Sequence, residues 1–340
     1  NMNTYITSLE KKHFPVMLDE VIQICNLSKK NLLIADCTFG GGGYSEKLLK
    51  FSNINVVALD RDRSTIERAE VLRIKFPNQF TFHNEKFSDL DKVIKTENKP
   101  DVIIFDLGLS TFQLQDYSRG FSFKATDKID MQMGLSDISA EEVINTLDEK
   151  NLKLVIKILG EEQEASRIVK NIIKARKIKK IDTVLELVKI IELSKKKNYN
   201  RKINVCTKTF QALRIFVNKE TSELIDGLIK ATQLIKYGGK IITISFHSIE
   251  DKIIKYYFTN YSPNKSNPSR YMPSQSNQKN SFFEKYKNNF LTPSSKEIIK
   301  NPASRSAKLR YAIRTEQTFS NPKEFKEKFK KYLDIENVSI

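Results

Sequence analysis

The residues best suited to contact a ligand form a loop in which an acid precedes four glycines, Asp36–Gly43 (DCTFGGGG). The loop follows a short apolar run, Leu32–Ala35, which has the length and composition of a buried strand. Glycine adopts positive φ at little cost and lets a backbone approach a bound molecule closely. Four consecutive glycines at the end of a strand therefore predict a ligand-binding turn, and a turn without a ligand is the alternative.

The spacing of these glycines disfavours dinucleotide binding. That fingerprint requires G-x-G-x-x-G at this turn, yet the third glycine position is Ser45 counted from Gly40 and Glu46 counted from Gly41. A nicotinamide-dependent oxidoreductase is therefore a poor match. An acid four residues before the first glycine resembles instead a loop that binds S-adenosylmethionine (AdoMet), whose ligand carries an amino-acid moiety and no pyrophosphate.

Two further aspartates follow apolar runs that are predicted strands. Asp60 follows Val56–Leu59 and lies 20 residues after Gly40, and Asp106 follows Val102–Phe105. The Asp60 carboxylate can accept both hydroxyls of a ribose, although an acid there can also cap a helix. Ligands of open parallel sheets bind beyond the carboxyl ends of the strands, where the strand order reverses. We therefore expect Asp106 to face the reacting group, with a purely structural aspartate as the alternative.

The order of predicted elements indicates an α/β fold with a mostly parallel sheet. Apolar runs alternate with helical patterns in the first third of the chain, and the rhythm returns with a strand at Lys240–Phe246 and a last strand at Leu309–Ile313. From Ser139 to Leu193 the apolar spacing is helical throughout. We predict a discontinuous domain of residues 1–136 and 205–340, interrupted by an all-helical insertion of residues 137–204.

Composition and charge limit the possible partners. Lysine and arginine number 58 against 41 acidic residues, a net charge of +17, which favours a polyanion such as nucleic acid; a uniformly lysine-rich composition is the alternative. Residues 260–306, rich in Asn, Ser, Lys and Pro, are predicted to be a basic, mobile loop. Three cysteines without CxxC and three widely spaced histidines predict no metal site. No apolar run is long enough for a membrane span, and we expect a cytoplasmic protein.

Several longer motifs occur in one order along the chain. These are HFPVMLDE at 13–20, the glycine loop at 36–43, DLGLS at 106–110, RGFSF at 119–123, DMQM at 130–133, TFQALRI at 209–215, SFHS at 245–248 and NPASRSAKLR at 301–310. On these motifs, which span about residues 13–314, the chain resembles the bacterial small-subunit (16S) rRNA cytosine-N4 methyltransferase family, the RsmH or MraW type.

The resemblance implies a Rossmann-like, class I AdoMet-dependent methyltransferase acting on the N4 amine of a cytidine in 16S rRNA, at the decoding centre. The partner would be the small ribosomal subunit or a late assembly intermediate. The implied cofactor contacts are Gly42, Gly43 and Tyr44 at the amino-acid end, Asp60 at the ribose, Phe87 at the adenine, and Asp106 with Gln113 completing the pocket. Asp106 is also the candidate catalytic residue, because it can accept hydrogens of the target amine.

The chain departs from the family pattern at a few positions. Tyr44 stands where the family has histidine. This difference puts the role of the side chain in question, whereas a contact from the backbone would be kept. Thr111, Gln115 and Gln132 replace serine, aspartate and arginine, respectively. His247 is expected to position substrate, beside a helix capped by Ser248. DNA cytosine-N4 methylation and a catalytically silent rRNA-binding assembly factor are the alternative functions.

Overall fold

A six-stranded sheet with the order β3-β2-β1-β4-β5-β6 forms the centre of the fold, as seen in a computed structural model that describes residues 15–28, 31–196, 203–263 and 280–340. Strands β1 to β5 are all parallel to one another, and β6 pairs antiparallel with β5. The strands are β1 (Leu32–Asp36), β2 (Ile54–Leu59), β3 (Phe80–His83), β4 (Val102–Asp106), β5 (Lys240–Ser245) and β6 (Lys308–Ile313). The predicted α/β fold with a mostly parallel sheet is confirmed.

The strand order reverses between β1 and β4. The chain proceeds outward from β1 through β2 to β3, then returns to the other side of β1 with β4. Residues Ile34, Ala35 and Asp36 of β1 lie opposite residues 102–104 of β4. Because both strands are parallel, their carboxyl ends open at the same edge of the sheet, where ligands of such folds bind.

Contacts divide the chain into two compact units. The sheet unit comprises residues 1–108 and 229–321, and the helical unit comprises residues 109–228 and 322–340. The helix Glu220–Leu234 spans the boundary at residue 228. Other α-helices of the sheet unit are Leu18–Cys25, Gly43–Leu49, Ile66–Lys75, Leu90–Val93, Ser248–Asn260 and Ser295–Lys300, with short 3₁₀ turns at Arg63–Thr65, Phe87–Asp89 and Pro302–Ser306.

Helices of the helical unit begin at side chains that cap them. Ser139 accepts a hydrogen bond from the Glu142 N–H while the Glu142 carboxylate returns to the Ser139 N–H, and Thr183 and Glu186 repeat this arrangement. The α-helices are Thr111–Gln115, Ala140–Thr146, Glu149–Leu154, Ala165–Ile178, Val184–Ser194, Thr207–Asn218, Lys323–Lys328 and Lys330–Glu336, with a 3₁₀ turn at Tyr117–Arg119 and a π-helical segment at Val155–Leu159.

The helical unit is larger than the predicted insertion of residues 137–204, which lies inside it. One reason is a long-range contact for which the sequence contains no local pattern. The buried Glu336 carboxylate accepts hydrogen bonds from the N–H groups of Thr221 and Ser222, at 2.8 and 2.9 Å, so the C-terminal residues pack with this unit. The functional division between insertion and cofactor domain stays a prediction.

The segment 260–306, predicted as one mobile loop, contains regular structure where it is described. Residues 264–279 lie outside the described part of the chain. Phe282 and Phe283 are fully buried, and a helix runs over Ser295–Lys300. Among the described residues, no helix combines the length and hydropathy required to cross a membrane.

Candidate functional site

The glycine loop joins β1 to the helix Gly43–Leu49. Gly40 and Gly42 have φ of 52° and 78°, and Gly42 is the N-cap of the helix. A Cβ on Gly42 would lie 2.8 Å from the Phe39 ring, and a Cβ on Gly43 would lie 2.7 Å from the Pro15 ring. Packing and backbone conformation therefore require glycine at positions 42 and 43, whether or not a ligand is bound.

The Asp36 carboxylate holds the loop in place. This side chain is fully buried and accepts hydrogen bonds from the Ser45 hydroxyl at 2.6 Å and from the Thr38 N–H at 3.3 Å. Burial raises the pKa of Asp36 to about 6 although these hydrogen bonds oppose the shift. Asp36 therefore forms hydrogen bonds within the protein, and these order the loop.

Asp60 extends the site to the end of β2. Its two carboxylate oxygens accept the N–H groups of Gly40, at 2.7 Å, and of Asp62, at 2.8 Å. Burial raises the pKa of Asp60 to about 6. Each oxygen keeps a further lone pair, so the carboxylate can both support the turn and accept hydroxyl donors, as the sequence predicts.

Phe87 lies after β3 in the 3₁₀ turn Phe87–Asp89. Its half-buried ring meets the buried Phe105 ring edge-on, with centroids 5.3 Å apart and an angle of 82° between the planes. This contact fixes the ring beside β4. Its predicted packing against an adenine stays a prediction.

Asp106 ends β4 next to the glycine loop. Its N–H donates to the Thr38 hydroxyl at 2.7 Å, which ties the end of β4 to the loop after β1. Its Oδ1 is buried and has no hydrogen-bond partner among the described residues. Burial, reinforced by the nearby Asp36 charge, raises the pKa of Asp106 well above its usual range. Such an oxygen is a ready acceptor for a ligand donor.

The Tyr44 side chain is buried near Asp106, and its hydroxyl donates to the Val16 carbonyl. The interaction with Tyr44 lowers the pKa of Asp106, but burial outweighs it and the pKa of Asp106 is raised. The Tyr44 side chain contacts protein groups in this arrangement, and its predicted cofactor contact is limited to the backbone.

His247 caps the helix Ser248–Asn260. Its Nδ1 accepts from the Glu250 N–H at 3.3 Å, while Glu250 accepts from the Phe246 N–H at 2.8 Å. The expectation that Ser248 caps this helix was wrong. The predicted part of His247 in positioning substrate stays a prediction.

Gln113 lies in the helical unit and starts a helix there. Its side-chain oxygen accepts from the Ser110 N–H at 3.0 Å, and the Ser110 hydroxyl accepts from the Gln113 N–H at 3.2 Å. This reciprocal cap uses the oxygen of the Gln113 side-chain amide. Its predicted part in the cofactor pocket stays a prediction.

Several contacts within the site were not predicted from the sequence. Asp36 and Thr38 stand in the recognised loop, but their partners Ser45 and Asp106 become visible only in the fold. Arg68 donates from Nε to the Gly40 carbonyl at 3.2 Å across 28 residues. No local pattern indicates that contact.

The sheet order, which reverses between β1 and β4 beside the glycine loop, is that of a Rossmann-like α/β fold. The MraW methylase family matches residues 10–315, and the chain belongs to this family.

Relatives named "Ribosomal RNA small subunit methyltransferase H" are similar over nearly the whole chain. The protein from Bartonella bacilliformis is 40% identical over 307 residues, which cover 90% of this chain and 91% of the relative. Those from Orientia tsutsugamushi and Rickettsia typhi are 39% and 40% identical over 89% of this chain and 98% and 99% of their own lengths.

Proposed function

We propose that this protein transfers a methyl group from AdoMet to the exocyclic N4 amine of a cytidine in 16S rRNA of the small ribosomal subunit, in the cytoplasm. The family is one of methylases, and the relatives are named for small-subunit rRNA. The observation that carries the chemistry is the buried Oδ1 of Asp106 at the switch point of the sheet, for which the described part of the chain offers no hydrogen-bond partner.

The charges at the site favour AdoMet over a nucleotide with a pyrophosphate. Asp36, Asp60 and Asp106 lie at the carboxyl ends of β1, β2 and β4, and burial raises the pKa of each. An anionic pyrophosphate would be repelled by these carboxylates, whereas an ammonium and a sulfonium would be attracted. The charge pattern therefore agrees with the glycine spacing, which also disfavours a dinucleotide.

Each part of the cofactor has a residue suited to hold it. Asp60 would accept the ribose hydroxyls, Phe87 would pack on the adenine, and the backbone at Gly42, Gly43 and Tyr44 would hold the amino-acid end. Gln113 would complete the pocket. AdoMet supplies an electrophilic methyl group that needs no further activation.

The protein's main chemical task is to align the amine and accept its hydrogens. The N4 lone pair is delocalised into the cytosine ring and is a weak nucleophile, so orientation contributes much of the rate, up to roughly 7–11 kcal/mol in favourable cases. Asp106 Oδ1 would accept an N4 hydrogen, draw electron density onto nitrogen, and stabilise the positive charge that develops there. The target base must leave its stack to reach the site, at a cost of a few kcal/mol.

Methyl transfer to small subunits that lack the modification tests the proposal. Label from AdoMet should enter 16S rRNA and appear as N4-methylcytidine after nucleoside analysis. Label in duplex DNA but not in rRNA would support the DNA enzyme instead. Folded protein that binds rRNA but gives no AdoMet heat in calorimetry would support a silent assembly factor.

A further inference from the structure

Phe290 is an exposed aromatic side chain outside the site described above. It lies in the segment 284–291 (EKYKNNFL) of the sheet unit, and 44% of its surface is accessible. An exposed phenylalanine by itself is unremarkable in a folded protein. Three properties of its surroundings distinguish this one.

The segment 284–291 is held at both ends and in the middle. At one end Phe283 forms a bridge to Arg314; at the other, Leu291 and Leu309 exchange two backbone hydrogen bonds of 2.9 Å. In the middle, the Tyr286 hydroxyl accepts from Arg310 at 2.9 Å. Phe290 is therefore presented on an ordered backbone, which lowers the entropy cost of binding.

Two cations contact the Phe290 ring from one side. Lys308 Nζ and Arg310 Cζ are each 4.9 Å from the ring centroid. Both side chains also bind the same Asp251 oxygen, at 3.1 Å from Lys308 Nζ and 3.4 Å from an Arg310 nitrogen. Groups that share one oxygen lie too close together to sit on opposite faces of the ring at those distances. The other face of Phe290 is free of these two cations.

Exposed lysines lie close to Phe290 in the chain and in the fold. Lys285 and Lys287 are exposed on the same segment, and the Lys308 side chain, which contacts the ring, is 39% exposed. Arg310 is almost fully buried and pairs with Asp251. An exposed aromatic ring with lysines on the same segment has the two parts that bind single-stranded nucleic acid, a stacking surface for a base and charges for the phosphates.

We propose that Phe290 stacks on an unpaired base of the RNA substrate, with Lys285, Lys287 and Lys308 contacting the adjacent phosphates. The inference rests on the proposed function in taking RNA as the partner. RNA is favoured over a protein partner because the ring is flanked by lysines, which bind phosphates but are depleted at protein–protein interfaces. Single strands are favoured over duplex because only unpaired bases expose a face to an aromatic ring.

Binding of a short, unstructured oligouridylate to the full chain tests the proposal, with an abasic oligomer of the same length and charge as the matched probe. Phe290→Ala should weaken oligouridylate binding about 5- to 150-fold, and Phe290→Trp should bind at least as tightly as the parent. Phe51→Ala removes a phenylalanine of similar exposure, 39%, and should have no effect. Binding of the abasic oligomer should be the same for the parent and Phe290→Ala.

Salt dependence separates stacking from charge. Phe290→Ala should leave the slope of log K against log salt unchanged, whereas Lys285→Gln with Lys287→Gln should flatten it. Phe290→Leu keeps an apolar cover over Arg310 and should lose binding like the alanine variant, which excludes misfolding as the cause. Equal affinity of the parent, Phe290→Ala and Phe290→Leu for oligouridylate would overturn the proposal, as would an equal loss on the abasic oligomer. Methyl transfer by the parent protein is measured separately. A negative result for Phe290 would therefore contradict the stacking proposal without contradicting the proposed methyl transfer.

Discussion

Replacing Asp106 by asparagine tests the centre of the proposed chemistry. The asparagine keeps the volume of the side chain and one acceptor oxygen. The substitution leaves both partners of the hydrogen bond from the Tyr44 hydroxyl to the Val16 carbonyl in place. The substitution therefore imitates the neutral form of Asp106 and removes only its ability to become charged.

The expected loss follows from that missing charge. Electrostatic groups aimed at charge that develops in a transition state are worth about 2.7–4 kcal/mol, or a hundred- to thousandfold in rate. Single-turnover methylation of small subunits at saturating AdoMet isolates this step. Affinity for AdoMet measured by calorimetry should change far less than the rate. Thermal stability should not fall, because asparagine removes a buried acid next to Asp36.

The pH dependence supplies an independent check of the same role. Burial raises the pKa of Asp106, so the charged form, which we propose accepts the amine hydrogen, is lost as the pH falls through that raised value. The single-turnover rate of the parent should rise with pH, and the residual rate of the Asp106→Asn variant should lack this rise. A normal rate together with weakened AdoMet binding would refute the catalytic role and make Asp106 a cofactor ligand.

Three further substitutions test the supporting structure. Asp60→Ala should weaken AdoMet binding by about 1–3 kcal/mol in calorimetry, because the proposed acceptor of the ribose hydroxyls is lost; Asp62→Ala, which removes the side-chain cap on Ser64 and keeps the backbone N–H bound to Asp60, should change affinity much less. Gly42→Ala should destabilise the protein by about 1–3 kcal/mol more than Gly238→Ala in chemical denaturation, since both glycines have φ near 77° but only Gly42 faces a ring at 2.8 Å. Burial raises the pKa of Glu336 to about 7, so the folded state holds its proton more tightly than the unfolded state, and stability should fall by up to roughly 3 kcal/mol as pH rises from 4.5 to 7. Glu336→Gln should flatten that dependence, and an identical slope in the two proteins would contradict the assignment.

The elements that position the site were predictable because strands buried on both faces have a strong local signal. Val102–Phe105 is continuously apolar and its successor is charged, so both the strand and the place of Asp106 follow from the sequence. The position of Asp106 at the point where the strand order reverses was expected from the rule on where open parallel sheets bind ligands.

The contacts that tune the site were not predictable, because they join residues far apart in the chain. Tyr44 donates to Val16, and the Met17 N–H donates to Glu297 across 280 residues. A local preference also misled at the helix after β5, since serine is a common cap and histidine is not, yet His247 takes that position. Motifs locate candidate residues, but the pKa of Asp106 depends on neighbours such as Asp36 and Tyr44 that only the fold brings to it.

The acids at the switch point connect binding with proton release. Burial raises the pKa of Asp36 and Asp60 to about 6 and raises that of Asp106 well above its usual range, so near pH 6 the free site holds protons. A ligand that carries an ammonium and a sulfonium, and donates ribose hydroxyls to Asp60, favours the charged carboxylates and lowers their pKa values. AdoMet binding should therefore release protons near pH 6, and its affinity should increase as the pH rises from 5 to 7. Calorimetry in buffers of different ionisation enthalpy measures the number released. S-adenosylhomocysteine lacks the sulfonium charge and is the matched control, so it should release fewer protons. Proton uptake on AdoMet binding, or equal release with both ligands, would show that the acids at this edge do not respond to the cofactor's charge.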